Sequence, residues 1–124
     1  MKKILIVEDH AEIRRLIRMT LELEDVEIFE AESGARGLAL AAQELPDVIL
    51  LDVMMPGAVD GIDVCRRIKG DARLTHTKVV MLSARGTAAD IQRGTEAGAD
   101  GYLVKPFSPL ELMHVVARLA FAEA

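Results

Sequence analysis

Four apolar runs along the chain end in, or are directly followed by, residues that could do chemistry: Glu8 and Asp9, Asp52, Ser83, and Lys105. Three carboxylates brought together repel one another, so at least one pKa rises unless a cation neutralises them. Mg²⁺ accepts carboxylate and phosphate oxygens, and a nearby lysine adds a second positive charge. This set of groups favours phosphoryl transfer, in which a protein positions and neutralises the group, with an aspartate able to act as nucleophile.

Five short runs rich in β-branched residues predict strands. They are Ile4–Val7, Glu27–Ala31, Val48–Asp52, Lys78–Ser83 and Gly101–Lys105. Four are mostly continuous apolar segments, which is typical of strands buried on both faces of a parallel sheet. The Glu27–Ala31 run alternates between polar and apolar residues, so we expect it at an edge of the sheet.

Helical patterns separate these runs. They cover Ala11–Glu24, Gly34–Gln43, Gly61–Lys69, Ala88–Ala97 and Leu110–Ala122. The first predicts one inward face at a spacing of 3.6 residues, formed by Ile13, Leu16, Ile17 and Thr20. The last predicts an inward face formed by Leu112, Val115, Val116, Leu119 and Ala120.

Helix starts are marked by capping-box spacing at Thr87 with Asp90 and at Ser108 with Glu111. Asp9 has the same spacing to Glu12, so capping of the first helix is an alternative role for Asp9. Strand and helix alternate five times, which predicts a single doubly wound α/β domain. In such a sheet the functional crevice lies outside the carboxyl ends of the strands, where the groups with chemistry to offer are expected to meet.

Composition narrows the classes of function. The chain has 124 residues, 51% of them hydrophobic, and a net charge of −5. The negative charge argues against direct nucleic-acid binding by this domain. Cys65 is the single cysteine, which excludes a disulfide framework and a cysteine metal site. The apolar part of "MKKILIVED" is too short for a signal peptide, and no segment reaches membrane-span length, so we expect a cytoplasmic protein with no membrane partner.

Four motifs carry a family resemblance over the whole chain: "ILIVED" (Ile4–Asp9), "LLDVMMPG" (Leu50–Gly57), "VVMLSA" (Val79–Ala84) and "GADGYLVKPF" (Gly98–Phe107). In their order and spacing they resemble the receiver domain of two-component response regulators. The resemblance implies a flavodoxin-like parallel sheet of order 2-1-3-4-5 with five helices. It also implies that residues 1–124 form one receiver domain, with no output domain in this chain.

The resemblance assigns Asp52 as the phosphoacceptor, supplied by the phosphohistidine of a sensor histidine kinase or a phosphotransfer protein. Asp9, Asp52 and the carbonyl of Met54 would hold Mg²⁺, with Mn²⁺ as a substitute. Glu8 would act largely through a metal-bound water.

The same resemblance pairs Lys105 with the phosphoryl oxygens and has Ser83 hydrogen-bond the phosphate. Tyr102 would then change rotamer, and the peptide bond between Lys105 and Pro106 is expected to be cis. The surface formed by the fourth helix, fifth strand and fifth helix would change and control a downstream target or output domain. A homodimer through that surface, with Asp100, Glu111 and Arg118, is compatible with this interpretation.

The sequence departs from the family pattern at three places. Glu8 replaces an aspartate that many members carry, and His10 directly follows the acid pair, where we expect it to face a phosphatase or phosphodonor. The loop Gly57–Asp60 is one residue longer than the frequent form.

Three other functions remain as alternatives. A phosphatase or mutase of the haloacid dehalogenase type would need an aspartate at the position of Met54, so we do not expect turnover on small molecules. A nucleotide or flavin binder would need a phosphate loop of the form GxxxxGK[ST] or GxGxxG, and the chain contains neither. A receiver that signals without phosphate is disfavoured by the intact acid, hydroxyl and lysine set.

Overall fold

The computed structural model describes residues 1–22, 24–55 and 60–121. Within these ranges, strands and helices alternate as the sequence predicts, with one short 3₁₀ helix between α3 and β4. The elements are β1 (Lys2–Val7), α1 (Ala11–Leu21), β2 (Val26–Ala31), α2 (Gly34–Glu44), β3 (Val48–Asp52), α3 (Gly61–Lys69), the 3₁₀ helix (Ala72–Leu74), β4 (Lys78–Ser83), α4 (Ala88–Glu96), β5 (Gly101–Val104) and α5 (Pro109–Ala120).

The strands form one parallel sheet in the order β2-β1-β3-β4-β5, which confirms the predicted fold. β2 lies at an edge, as its alternating pattern predicts. β3 lies in the centre and all five of its residues are buried. The sequence Val48–Asp52 therefore crosses the middle of the sheet and delivers Asp52 to its carboxyl edge.

Helices cover both faces of the sheet, because alternate residues of the central strands point to opposite sides. On one face, Ile4 and Ile6 of β1 pack with residues of α1 and α5, among them Ile17 and Leu112. On the other face, Leu5 and Val7 pack with residues of α2 and α3. No helix within the described residues is long and apolar enough to cross a membrane.

Side-chain caps begin several helices and confirm two predictions. The Thr87 hydroxyl accepts the Asp90 N–H and the Ser108 hydroxyl accepts the Glu111 N–H. Asp60 begins α3 by accepting the Asp63 N–H at 2.9 Å. These bonds satisfy N–H groups that have no partner inside the helix.

Some predicted boundaries and one core assignment are wrong. α1 ends at Leu21 rather than Glu24, because Leu21 is its last buried residue and the chain turns there toward β2. β5 ends at Val104, so Lys105 follows the strand instead of closing it. Leu16 is 48% exposed: the buried stripe of α1 centres on Ile17 and Leu21, and Leu16 lies at its margin. Ala122, where the last helix was expected to end, lies outside the described residues.

Gly61 permits the close approach of α3 to the end of β3. A Cβ at this position would lie 2.3 Å from the carbonyl oxygen of Asp52 and 2.6 Å from the Cα of Val53. Both neighbours are backbone atoms, so neither can move aside without shifting the strand that carries Asp52.

Gly61→Ala is therefore expected to lower the free energy of unfolding by about 2–4 kcal/mol, measured by chemical denaturation. Gly101→Ala is the matched control, because a Cβ there meets its nearest side chains at an ordinary 3.5 Å. Equal stability of the two variants would contradict the steric argument.

Candidate functional site

The predicted acidic residues meet at the carboxyl edge of the central strands. Glu8 follows β1 and is fully buried, and Asp52 at the end of β3 is 2% exposed. One ligand atom from each of Glu8, Asp9, His10 and Asp52 lies within 4.8 Å of the others. Residues separated by more than forty positions in the chain therefore form one cluster.

Lys105 reaches this cluster from the end of β5. Its backbone N–H donates to the carbonyl of Ser83, and its peptide bond to Pro106 is cis, as expected. Its Nζ donates to Glu8 Oε1 at 2.7 Å and lies 3.4 Å from Asp52 Oδ1. One ammonium group thus faces two carboxylates, which leaves the cluster negatively charged.

Each carboxylate keeps an oxygen away from the lysine. Asp52 Oδ1 accepts the Met54 N–H at 3.2 Å, whereas Asp52 Oδ2 and Asp9 Oδ1 are buried without a hydrogen-bond partner among the described residues. Buried polar atoms are normally satisfied, so two such oxygens side by side need a physical explanation. An oxygen-binding cation is the simplest one, and the donor set suits a hard ion such as Mg²⁺.

Burial and the neighbouring charged groups change the pKa values of Asp52 and Glu8. Burial, and then contact with the side chains of Glu8 and Asp9, raises the pKa of Asp52 to about 7. Burial also acts to raise the pKa of Glu8, but hydrogen bonds from Asp52 and Lys105 outweigh it and lower that pKa. In the absence of a metal ion, a proton on Asp52 therefore supplies part of the missing positive charge.

His10 belongs to the cluster, which the sequence analysis did not predict. Its Nδ1 lies 3.2 Å from Glu8 Oε2 and 3.3 Å from Asp9 Oδ1. Hydrogen bonding to Glu8, and then the charge of Asp9, raises the pKa of His10. His10 is also the N-cap residue of α1, so the alternative role of Asp9 as that cap is wrong.

Arg14 was missed as well. Its Nη1 donates to the carbonyl of Glu8 at 2.8 Å while its Nε donates to Glu30 at 3.0 Å. Arg14 therefore fixes the backbone of Glu8 from α1. Its position one turn into a predicted helix gave no signal of that contact.

Ser83 and Tyr102, the residues expected to form the switch, both bond to the backbone of Arg85. The Arg85 N–H donates to the buried Ser83 hydroxyl at 3.0 Å, and the Tyr102 hydroxyl donates to the Arg85 carbonyl at 2.8 Å. The segment after β4 is thereby tied to both side chains. In the lengthened loop, Gly57, Ala58 and Val59 lie outside the described residues.

Comparison with known proteins identifies the family. The model of the response regulator receiver domain matches residues 4–117, which is most of the chain. The chain belongs to the response regulator receiver domain family. Receiver domains act as signalling switches and bind Mg²⁺ at an acidic pocket, and this chain places an acidic cluster at the corresponding edge of its sheet.

Several curated relatives of this receiver domain are transcription regulators. The chain is 50% identical over 111 residues to the transcriptional regulatory protein ResD of Bacillus subtilis, covering 90% of this chain and 45% of ResD. It is 45% identical over 118 residues to the phosphate regulon regulator PhoB of Pseudomonas aeruginosa, covering 95% of this chain and 50% of PhoB. The chain thus spans about half the length of these relatives.

Solved structures show the same fold. The chemotaxis protein CheY4 of Vibrio cholerae superposes with a TM-score of 0.89 at 33% identity, covering 96% of this chain and 98% of CheY4. The receiver domain of the sensor histidine kinase PA1611 of Pseudomonas aeruginosa PAO1 superposes with a TM-score of 0.88 at 26% identity, with 98% of each chain covered. That structure has a magnesium ion coordinated in its active site cleft.

Proposed function

We propose that Asp52 is the phosphoacceptor of this receiver domain, supplied by the phosphohistidine of a sensor histidine kinase or a phosphotransfer protein. The observation that carries the proposal is the setting of Asp52. It lies at the edge of the central strand with one oxygen unpartnered among the described residues and the other 3.4 Å from Lys105 Nζ. A carboxylate with one oxygen free of hydrogen bonds and the other beside a fixed positive charge suits nucleophilic attack on phosphorus.

In that reaction the bond between phosphorus and the histidine nitrogen breaks as a bond from phosphorus to an Asp52 oxygen forms. The departing imidazole keeps the electron pair of the broken bond. Lys105 neutralises the oxygens of the transferred group and, because Glu8 Oε1 holds its Nζ at 2.7 Å, it is fixed in place before the reaction.

The residues that would hold Mg²⁺ are Asp9, Asp52 and the carbonyl of Met54, with Glu8 acting largely through water and Mn²⁺ as a substitute ion. The unpartnered oxygens of Asp9 and Asp52 support this assignment. When bound, the ion would neutralise the carboxylates and orient the oxygens of the phosphoryl group.

Ser83, Arg85 and Tyr102 form the proposed switch. A phosphoryl group on Asp52 offers the Ser83 hydroxyl a stronger acceptor than any neutral oxygen. A Ser83 hydroxyl turned toward that group no longer accepts the Arg85 N–H, so the segment carrying the acceptor for Tyr102 is released. The surface of α4, β5 and α5 changes as a result.

That surface is the proposed contact for a downstream target or output domain, and a homodimer through it remains a prediction. Exposed Ile91, Val104 and Leu110 support an apolar contact there. Asp100, also expected on this face, pairs with Lys69 of α3 at 2.9 Å. We also propose that residues 1–124 form a single receiver domain and that the protein is cytoplasmic. This domain is proposed to make no direct contact with nucleic acid.

The test is phosphorylation by acetyl phosphate. With Mg²⁺ present, intact-protein mass spectrometry should show one added phosphoryl group, which peptide mapping after borohydride reduction should place at Asp52. EDTA should prevent the addition. A phosphoryl group on another residue, or none in Mg²⁺, would overturn the proposal.

Mg²⁺ affinity should depend on pH because the ion and a proton compete for Asp52. With the Asp52 pKa raised to about 7, affinity is expected to rise about tenfold between about pH 6 and about pH 8, with a proton released on binding at the lower pH. Calorimetry in buffers of different ionisation enthalpy measures both quantities. A His10→Gln variant should retain most of the rise, and an affinity that is flat over this range would contradict the role of Asp52.

A further inference from the structure

Some oxygens of the acidic cluster bond to Lys105 or to the backbone, and others line one shared space. Lys105 takes Glu8 Oε1 and approaches Asp52 Oδ1, and the Met54 N–H also donates to Asp52 Oδ1. Glu8 Oε2 and the unpartnered oxygens of Asp9 and Asp52 make no contact with the lysine, and Glu8 Oε2 accepts the His10 backbone N–H at 3.3 Å. Because Asp52 is 2% exposed, its unpartnered Oδ2 is a second observation, beyond the clustering of acids, that indicates a ligand.

The only nitrogen ligand at this space, among the described residues, comes from His10. Its Nδ1 lies 3.2 Å from Glu8 Oε2 and 3.3 Å from Asp9 Oδ1, so the ring already points at the oxygens that remain free of Lys105. These spacings match the separation of neighbouring ligands around one small divalent ion, which lie about 3 Å apart when each is about 2.1 Å from the metal. The 4.8 Å limit over all four residues leaves only small movements to reach that geometry.

We propose that His10 makes this a mixed nitrogen and oxygen site that binds divalent transition metals, such as Ni²⁺, Co²⁺ or Zn²⁺, more tightly than Mg²⁺. The ligands are His10 Nδ1 and the carboxylates of Glu8, Asp9 and Asp52. Imidazole suits these ions, whereas Mg²⁺ selects oxygen ligands and gains little from a nitrogen. The inference deepens the proposed function and rests on it for the location of the metal site.

A transition metal held by His10 uses the same oxygens of Asp9 and Asp52 that Mg²⁺ is proposed to use. The two classes of ion therefore exclude each other, and a nitrogen ligand biases the site toward the transition metal. Mg²⁺ is therefore expected to be displaced as the transition metal is added, at metal concentrations that depend on His10.

The test measures the binding of two metals to the wild-type protein and to a variant without the His10 imidazole. Tag-free wild-type protein and His10→Gln are titrated with NiCl₂ and, separately, with MgCl₂ by calorimetry. The substitution is expected to weaken Ni²⁺ binding by about 10- to 100-fold, the range found when a metal site loses a supporting group, and to change Mg²⁺ binding by less than about threefold. His76→Gln is the matched control, because His76 is exposed and bonds only to the carbonyl of Leu45 among the described residues.

A second readout does not depend on affinity. Co²⁺ added to wild-type protein should give a paramagnetic shift of the His10 ring protons in NMR spectra, with no such shift for His76. Thermal melts should show that His10→Gln is folded, because the His10 side chain is 63% exposed. Ni²⁺ binding that is unchanged in His10→Gln, or an equal loss of Ni²⁺ and Mg²⁺ binding, would overturn the inference. Failure of acetyl phosphate to modify Asp52 while Ni²⁺ still binds through His10 would instead overturn the proposed function.

Discussion

Asp52→Asn is expected to abolish phosphorylation and to raise the free energy of unfolding of the metal-free protein by about 1–3 kcal/mol. The amide has the shape of the carboxylate and can still accept the Met54 N–H, but it is neither a nucleophile nor charged. The uncharged amide avoids both the cost of burying a charge and the repulsion from Glu8 and Asp9, which together raise the Asp52 pKa. Mass spectrometry measures the first effect, and chemical denaturation in EDTA measures the second.

The gain in stability of Asp52→Asn over wild type should depend on pH. A carboxyl group whose pKa is raised on folding binds more protons in the folded state, so stability falls as pH rises from the ordinary value for aspartate to about 7. The amide of the Asp52→Asn variant does not titrate, so the gap between the variant and wild type should widen over that range. Mg²⁺ should narrow the gap, because an ion that binds only the folded wild type stabilises it by mass action. Asp25→Asn, at an exposed position, is the control, and a variant less stable than wild type in EDTA at every pH would contradict the argument.

The fold was predictable because its strongest signals are local. An unbroken apolar run such as Val48–Leu51 has few solutions other than a strand covered on both faces, and alternation with helices then requires a parallel sheet. Topology also predicted the meeting of Asp9, Asp52 and Lys105, since all follow or end parallel strands whose carboxyl ends share one edge. The order of strands and helices is thus enough to locate the site without side-chain geometry.

Side-chain direction was not predictable in the same way. His10 turns toward Glu8 and Asp9 because α1 begins at Ala11 and leaves His10 extended as its N-cap residue. A shift of one residue in that boundary changes where the ring points, and helix boundaries are weakly specified by periodicity. The exposure of Leu16 has the same origin, since the buried stripe depends on how α1 is rotated on the sheet.

Lys105→Met is expected to lower the free energy of unfolding of the metal-free protein by about 2–4 kcal/mol near neutral pH, measured by chemical denaturation in EDTA. Glu8 is fully buried, and the Lys105 Nζ at 2.7 Å compensates its charge, with His10 Nδ1 3.2 Å from the other carboxylate oxygen. Removing one partner of a buried ion pair leaves an uncompensated charge, which costs more than the pair contributes. The variant should also lose most phosphorylation, because the transferred oxygens lack their fixed positive charge.

A second substitution separates charge from packing. Glu8→Gln in the Lys105→Met background removes the uncompensated charge, so the double variant should recover all but about 1 kcal/mol of the loss. Lys69→Met is the matched control: its partner Asp100 is 22% exposed, so the loss should be about 1 kcal/mol and should not respond to Glu8→Gln. If the double variant is no more stable than Lys105→Met, the lysine stabilises the fold through the packing of its aliphatic chain, and Glu8 does not depend on it for charge.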